Sequence, residues 1–309
     1  MFKKVVLVVC MMLGAWLLSG CDAAEFDAAS EIKVYTRDTT SGTRDGFFTG
    51  IELTSAIKDN SVLKTGYIEV AGNGDIINGV KNDVYGIGYI SLSSLENSGL
   101  IGLSFEGAEP TEANVINGTY GLKRNFNYMV RTSYQDARIE ELAMAFVAYM
   151  QTVEGKATIQ NNDGIIDIGA SDPSWEDIKE KYPVTAQDNS DLTVKFGGSN
   201  SVLKIAQALS NDFKVKAGNF VAEHNHTGSG DAFLRAQGSE KDGPNQIHIG
   251  FASREFKTEE TINQGTFGVI CKDAIVVVVH PSNTVITNIT KHELRMIYQG
   301  QKNTWNSLS

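Results

Sequence analysis

The sequence predicts an α/β fold organised as two lobes, and three observations support this prediction. Short segments rich in Val, Ile and aromatic residues alternate with amphipathic helical segments, which favours mostly parallel sheets flanked by helices. Turns of small residues follow three of the short segments. The chain beyond residue 31 is longer than one hydrophobic core usually serves, so we expect two cores.

The predicted strands are short and are bounded by Gly or Asn. They cover residues 32–36, 67–70, 86–91, 192–196, 219–223, 246–250 and 273–280. Apolar residues recur at helical spacing over 139–153 and over 202–213. Thr290 and Glu293 have the spacing of a capping box, which predicts a helix that runs through Tyr298 and ends before Gly300.

The N-terminus has the pattern of a lipoprotein signal peptide. Lys3 and Lys4 precede an apolar run over 5–18, and small residues then lead to Cys21. The alternative is an uncut signal anchor, but this run is shorter than the roughly 20 apolar residues that a spanning helix needs. We predict a signal peptide over 1–20, a lipid on Cys21 and a tether over 21–31. The folded chain is then anchored outside the cytoplasmic membrane.

Net charge limits the kinds of ligand that are expected, and cysteine content limits the disulfide bonds that are possible. The formal net charge is −10, and such an acidic balance argues against nucleic acid as a partner. An anionic ligand must therefore be held by local N–H groups and one or two cations, because the overall field repels it. Beyond the predicted tether Cys271 is the only cysteine, so an internal disulfide is not expected.

Three strand-to-helix turns have the composition of an anion site. They cover 39–43, 197–201 and 226–230 and contain Gly, Ser and Thr. In α/β folds such turns meet at the ligand crevice, where free N–H groups and helix dipoles favour an anion. Each turn alone is more typical of an ordinary helix N-cap than of an anion site. Together with Arg37, which can donate two hydrogen bonds to one oxyanion, the three turns predict a site for a tetrahedral anion.

The segment 34–44 resembles the R-x-x-G-S-G-T-R signature of the phosphate-binding lipoproteins of ABC phosphate importers, with Arg37, Ser41 and Thr43 in matching places. The segments 86–90, 107–122, 153–155, 198–202, 227–230, 249–254, 273–277 and 288–305 also resemble that family. In the family the last five of these come first. The two halves are therefore in circularly permuted order, or the chain is a fragment of a tandem fusion.

The resemblance implies a type II periplasmic-binding-protein-like fold with the ligand in a cleft between its lobes. One lobe is discontinuous, combines 32–123 with 265–309 and carries the first turn. The other covers 124–264, carries the remaining two turns and includes the connector 168–191 at the permutation join. The implied phosphate-binding residues are Arg37, Ser41, Gly42 and Thr43 from the first lobe and Asn200, Ser201, Ser229 and Arg254 from the second.

Two implied site residues depart from the family pattern. Asn200 stands where many relatives have a threonine, and it can still donate through its amide. Arg254 stands where some relatives have an aspartate that accepts the remaining proton of phosphate and thereby rejects sulfate. Arg254 either reaches the ligand or forms an ion pair with Glu255 or Asp231. Asp231, beside the third turn, is a candidate replacement acceptor.

The resemblance implies a monomer that captures inorganic phosphate and delivers it to the permease subunits of an ABC importer, without a cofactor and without enzymatic activity. Two alternatives are an exported phosphate-ester hydrolase and a surface sensor or adhesin that keeps the fold with another oxyanion. The sequence contains no nucleophile elbow, zinc-hydrolase motif or P-loop. His224 and His226 lack a ligand partner at a recognisable spacing, so we expect no metal site.

Overall fold

The computed structural model describes residues 26–308 of the chain. The predicted signal peptide, Cys21 and the first part of the predicted tether lie outside the described residues. The strands are β1 (Lys33–Arg37), β2 (Ile68–Val70), β3 (Gly86–Ser91), β4 (Ile101–Gly102), β5 (Ser104–Phe105), β6 (Lys123–Val130), β7 (Thr193–Gly198), β8 (Val221–His226), β9 (Ile249–Ala252), β10 (Phe267–Val279) and β11 (Asn288–Ile289).

The helices alternate with these strands, as the fold class requires. They are α1 (Gly42–Gly50), α2 (Asn73–Lys81), α3 (Glu112–Ile116), α4 (Ala137–Met150), α5 (Val153–Gln160), α6 (Trp175–Ile178), α7 (Leu203–Lys214), α8 (Ser229–Ala236) and α9 (Lys291–Tyr298). Within residues 26–308 we find no helix that combines the length and apolar character needed to cross a bilayer.

One curled sheet runs through the described chain in the order β2-β1-β3-β10-β6-β9-β7-β8, and β4 pairs with β10 in addition to this order. Pairs β1–β2, β1–β3, β7–β8 and β7–β9 are parallel. The long strand β10 is antiparallel to β3 over Ile275–Val279 and to β6 over Phe267–Ala274. Strand β10 therefore joins the two halves of the sheet.

Two large hydrophobic cores lie on the two halves of this sheet. Apart from Ile165, the first core takes its buried residues from 32–122 and 274–305. The second takes them from 126–251 and from Ile270 and Cys271. We name the chain around these cores the first and second lobes. Smaller apolar clusters around Ile76 and Met129 lie elsewhere on the two halves.

Most helices begin at a side chain that accepts from a free N–H group of the first turn. Ser41 accepts from the Arg44 N–H at 3.3 Å, and Thr290 accepts from the Glu293 N–H at 3.1 Å. The Glu293 carboxylate in turn accepts from the Thr290 N–H at 3.1 Å, which confirms the predicted capping box. Gly300 follows the helix at φ +72°, a conformation that favours glycine.

The predicted α/β fold class is confirmed, and each predicted strand is present with boundaries shifted by at most a few residues at the start or end. The exception is β10, which begins six residues earlier than predicted. Strand β6 and the short strands β4, β5 and β11 were not predicted. The helical pattern over 139–153 is interrupted because Thr152 caps a new helix, α5. The exact lobe boundaries and the circular permutation remain predictions.

Candidate anion-binding site

Five buried hydroxyl groups from both lobes form one cluster at the carboxyl ends of the strands. We call Thr43, Ser199, Ser201, Ser229 and Ser253 the hydroxyl cluster; each is at most 6% exposed. Strands β7 and β9 are parallel neighbours, so their carboxyl ends meet at one edge of the sheet and place Ser199 beside Ser253. The Ser199 Oγ donates to the Ser253 Oγ at 2.8 Å.

The cluster joins the two lobes directly. The Thr43 Oγ1 from the first lobe lies 2.8 Å from the Ser201 Oγ of the second. The Ser229 Oγ lies 3.2 Å from the Ser253 Oγ and accepts from the Ser253 N–H at 3.0 Å. These hydroxyls can each donate and accept, so they can exchange their mutual hydrogen bonds for bonds to an oxyanion.

Gly42 allows the turn after β1 to approach the second lobe closely. A Cβ atom at Gly42 would lie 2.2 Å from the Ser229 Oγ and 2.6 Å from the Ser253 Oγ. Both distances are far below van der Waals contact, so any side chain at this position would force Ser229 and Ser253 to shift when the lobes are together. The predicted Ser41-Gly42-Thr43 turn thus meets the predicted Ser229.

Two helices point their N-termini at the cluster. Helix α1 begins at Gly42, and α8 begins at Ser229 after Gly228, which makes no side-chain cap. The first N–H groups of a helix have no acceptor within the helix, and they carry the positive end of its dipole. The arrangement offers donors and a favourable potential to an anion from both lobes.

Arg37 supplies a buried positive charge near the turns. Its Nη1 donates to the Asn73 Oδ1 at 2.9 Å, and its Nη2 donates to the Ala71 carbonyl at 2.6 Å. Arg37 is 2% exposed, and burial lowers the pKa of its guanidinium, which reflects the cost of removing a cation from water. Over residues 26–308 no carboxylate lies within ion-pair distance of Arg37, and none of its hydrogen bonds reaches the hydroxyl cluster.

Arg254 lies at the end of β9 and links the lobes on another side. Its Nη1 and Nη2 contact the two oxygens of Glu260 at 2.8 and 2.6 Å. Its Nε lies 3.8 Å from Asp45 on α1, and Lys257 lies 3.3 Å from the same carboxylate. Arg254 therefore pairs with Glu260, and Asp45 lies farther away. The partners predicted from the sequence, Glu255 and Asp231, are not its carboxylate partners. From Glu255, Arg254 contacts only the backbone carbonyl.

The remaining predicted residues lie at the edge of the cluster. Asn200 is half-buried and lines a polar cavity between the lobes. Asp231 accepts from the Thr227 hydroxyl within the first turn of α8. Of the predicted site residues, the structure brings Gly42, Thr43, Ser201 and Ser229 into contact and leaves Arg37, Asn200 and Arg254 around them.

His224 and His226 support the turn 199–201 from behind. The His226 Nδ1 lies 2.9 Å from the Ser199 carbonyl, to which it donates, and the His226 Nε2 lies 3.3 Å from the His224 Nδ1. Burial lowers the pKa of both imidazoles to about 4, so both are neutral at neutral pH. The described residues 26–308 contain no group of three or more metal-ligating side chains.

Among residues 26–308, no imidazole or carboxylate is hydrogen-bonded to a hydroxyl group of the hydroxyl cluster. Its hydrogen bonds in the described part of the chain join hydroxyls to one another or to backbone N–H groups. An imidazole or carboxylate hydrogen-bonded to one of these oxygens would be needed for a general base.

Sequence reasoning omitted Ser199 and Ser253 from the site. Both belong to segments that were recognised, but each was passed over for a neighbouring residue. Ser199 opens the turn that contains Asn200 and Ser201, and Ser253 directly precedes Arg254.

Comparison with known proteins identifies the type of fold. Residues 183–309 match a family model described as a PBP superfamily domain. A solved phosphate-binding protein of a phosphate ABC transporter from Streptococcus pneumoniae is 22% identical, with a TM-score of 0.65, over 91% of this chain and all of that one. The likeness confirms a periplasmic-binding-protein-like fold.

Two further solved structures are more distant. An oligopeptide-binding protein from Borrelia burgdorferi is 11% identical with a TM-score of 0.37, over 62% of this chain and 39% of that one. A murein tripeptide binding protein from Escherichia coli is 10% identical with a TM-score of 0.35, over 72% of this chain and 55% of that one. No curated protein sequence matches the chain significantly.

Proposed function

We propose that this protein is an exported, lipid-anchored binding protein that captures inorganic phosphate between its lobes and delivers it to an ABC importer. The observation that carries the proposal is the meeting of turns from both lobes in one buried hydroxyl cluster at two helix N-termini. The fold shared with the pneumococcal phosphate-binding protein supports the same function.

In this proposal each oxygen of phosphate receives hydrogen bonds from hydroxyls and backbone N–H groups of both lobes. Ser41, Gly42 and Thr43 act from the first lobe, and Ser201 and Ser229 act from the second. Hydrogen bonds to a charged group are stronger than those between neutral groups, so phosphate holds the lobes together more firmly than the hydroxyls do alone. The closed form is then the one that docks on the permease.

Arg37 provides the charge that opposes the anion. A buried cation is costly when its partners are neutral carbonyl and amide oxygens. Phosphate in the adjoining cleft relieves that cost, and binding gains from it. The net charge of −10 gives no long-range attraction for phosphate, so this local cation carries the electrostatic part of recognition.

The location and the oligomeric state are part of the same proposal. A lipid on Cys21 would hold the folded lobes at the outer face of the cytoplasmic membrane, where an importer collects its substrate. We propose a monomer that needs no cofactor and does no chemistry on phosphate, because a binding protein releases its ligand unchanged.

Calorimetric titration tests the proposal with a chain that begins at Asp22 and so contains every described residue. Phosphate should bind with a Kd of about 1 μM or below, a binding free energy of roughly −8 kcal/mol or stronger. Ser229→Ala should weaken phosphate about 10- to 100-fold, because it removes a hydrogen bond to a charged ligand. Ser98→Ala is the matched control, since Ser98 is also buried but accepts from the Leu100 N–H away from the cluster. The proposal fails if phosphate does not bind, or if both variants weaken it equally.

A further inference from the structure

Strands β6 and β10 carry the chain between the two lobes. The limits of the two cores place the crossing points at 123–125 in β6 and at 272–273 in β10, and we call these residues the hinge. The two strands are antiparallel neighbours, and Arg124 lies opposite Asp273 in their register. Movement of one lobe against the other therefore has to bend the backbone at this pair of residues.

A buried ion pair joins the two strands at the hinge. The Arg124 Nε and Nη2 donate to the Asp273 Oδ2 at 3.0 and 2.8 Å, and the Nη2 also donates to the Ser91 Oγ at 2.6 Å. Arg124 is 8% exposed and Asp273 is 1% exposed. The guanidinium also lies 5.3 Å from the centre of the Phe126 ring. Since Ser91 belongs to the first lobe and Phe126 to the second, the pair contacts both sides of the hinge.

Each member of the pair has one buried atom that is not hydrogen-bonded. In the part of the chain that the structure describes, the Arg124 Nη1 and the Asp273 Oδ1 have no hydrogen-bond partner. A buried polar atom without a partner costs free energy, and the cost is larger for charged groups. Burial also lowers the pKa of Arg124 and raises that of Asp273, because removal from water disfavours both charged forms. Burying this pair between the lobes is therefore costly.

Separation of the lobes would bring water to the pair. Arg124 lines a cavity of about 640 Å³ whose walls come from both lobes. Asp45 and Gly46 of α1 form its wall on the first lobe, and Arg254 and Lys257 form its wall on the second. Because hinge residues also line the cavity, it widens when α1 moves away from the second lobe. A wider cavity admits water molecules that can bond to the two atoms without partners.

We propose that Arg124 and Asp273 are positioning residues of the hinge, and that their ion pair favours separated lobes until phosphate binds. This inference rests on the proposed function. In the ligand-free protein, separated lobes let water satisfy the pair. When phosphate binds, its hydrogen bonds to both lobes offset the cost of burying the pair. The ion pair thus makes closure depend on the ligand, so few ligand-free molecules are closed.

Small-angle X-ray scattering and calorimetric titration of the chain from Asp22 onward test this inference. Arg124→Met/Asp273→Leu replaces the whole pair with apolar side chains, because removing one member alone would leave an uncompensated buried charge. We expect the unaltered chain to have a larger radius of gyration without phosphate than with it. The double variant should be as compact without phosphate as the unaltered chain is with it. It should also bind phosphate about three- to tenfold more tightly, since more of its molecules are closed before binding.

A matched control removes an ion pair that does not lie at the hinge. The Lys156 Nζ lies 2.7 Å from the Asp172 Oδ1, and both residues are partly buried within the second lobe. Lys156→Met/Asp172→Leu should keep the scattering and the phosphate affinity of the unaltered chain.

Arg124→Lys is a second test, and it keeps the inference testable if the double variant does not fold. Lysine presents one nitrogen on a flexible stem in place of a planar guanidinium. It can pair with Asp273 without leaving a second nitrogen unpaired. Arg124→Lys should therefore shift the radius of gyration and the phosphate affinity in the same direction as the double variant.

The outcomes separate this inference from the proposed function. If the unaltered chain binds phosphate but is equally compact with and without it, the inference is overturned and the proposed function stands. The same holds if the folded hinge variants bind phosphate no more tightly than the unaltered chain, or if the control pair gives the same gain. Absence of phosphate binding by the unaltered chain overturns the proposed function, and the inference with it.

Discussion

Replacing Gly42 with alanine tests whether the two lobes meet at the hydroxyl cluster when ligand binds. The added methyl group would lie 2.2 Å from the Ser229 Oγ and 2.6 Å from the Ser253 Oγ. A normal contact of about 3.5 Å then requires movement of more than an ångström. Both hydroxyls are held by hydrogen bonds to neighbouring groups, so the lobes must separate or those bonds must break.

The cost of the Gly42→Ala methyl group can be worked out from these contacts. Losing two buried hydrogen bonds costs about 1 kcal/mol each, and overpacking adds about 1 kcal/mol or more. A total of about 3 kcal/mol corresponds to roughly a hundredfold weaker binding. The separated lobes are free of the clash, and alanine is at least as favourable as glycine within a helix. We therefore expect phosphate affinity to fall about a hundredfold while the Tm of the ligand-free protein changes little.

The assay is calorimetric titration with phosphate, together with thermal unfolding with and without ligand. Gly230→Ala is the matched control, because it lies in the first turn of α8 and its added Cβ would meet nothing nearer than the Thr40 carbonyl at 4.0 Å. A Gly42→Ala protein that binds phosphate as tightly as the Gly230→Ala protein would refute the idea that binding closes this contact.

Three further predictions concern interactions away from the cluster. Asp45→Asn removes an interlobe ion pair with Lys257, so titrations should show phosphate binding about two- to fivefold weaker at low salt and little affected at high salt; equal losses at both would contradict this. Burial lowers the pKa of His226 to about 4, so between pH 6.5 and 4 the unfolded state binds more protons than the folded state. The free energy of unfolding is therefore highest above pH 6.5 and decreases as the pH falls toward 4. In urea unfolding, His226→Gln should lose about 2 kcal/mol less between pH 7 and pH 5 than the unaltered protein, unlike the exposed control His292→Gln. Burial raises the pKa of the Cys271 thiol, so a thiol reagent should label the chain from Asp22 onward only as it unfolds, and rapid labelling of native protein would contradict its burial.

The strands predicted from sequence were those whose own amino-acid composition reflects their burial. Strand β3 is buried at every position and has the composition of a buried strand. Strand β6 was missed because its buried polar residues find partners far along the chain. Arg124 pairs with Asp273 at 2.8 Å, and the Asn127 Nδ2 donates to the Arg254 carbonyl at 2.9 Å. Local composition cannot reveal such partners.

The candidate site was predictable at the level of turns but less so at the level of side chains. Motif resemblance selected Gly42, Thr43 and Ser229, which the fold brings together. The partner of Arg254 was not predictable, because Glu260 reaches it only through a turn in which the Lys257 N–H donates to the same carboxylate. The cavity beside Asn200 was likewise absent from the sequence analysis, since its walls come from both lobes.

A crystal structure of the chain from Asp22 onward with phosphate tests the central claim most directly. We predict a single phosphate between the lobes, with its oxygens hydrogen-bonded to the Gly42 and Thr43 N–H groups and to the Ser229 hydroxyl. A phosphate bound elsewhere, or bound to one lobe with the other turned away, would contradict this account of how the turns bind an anion.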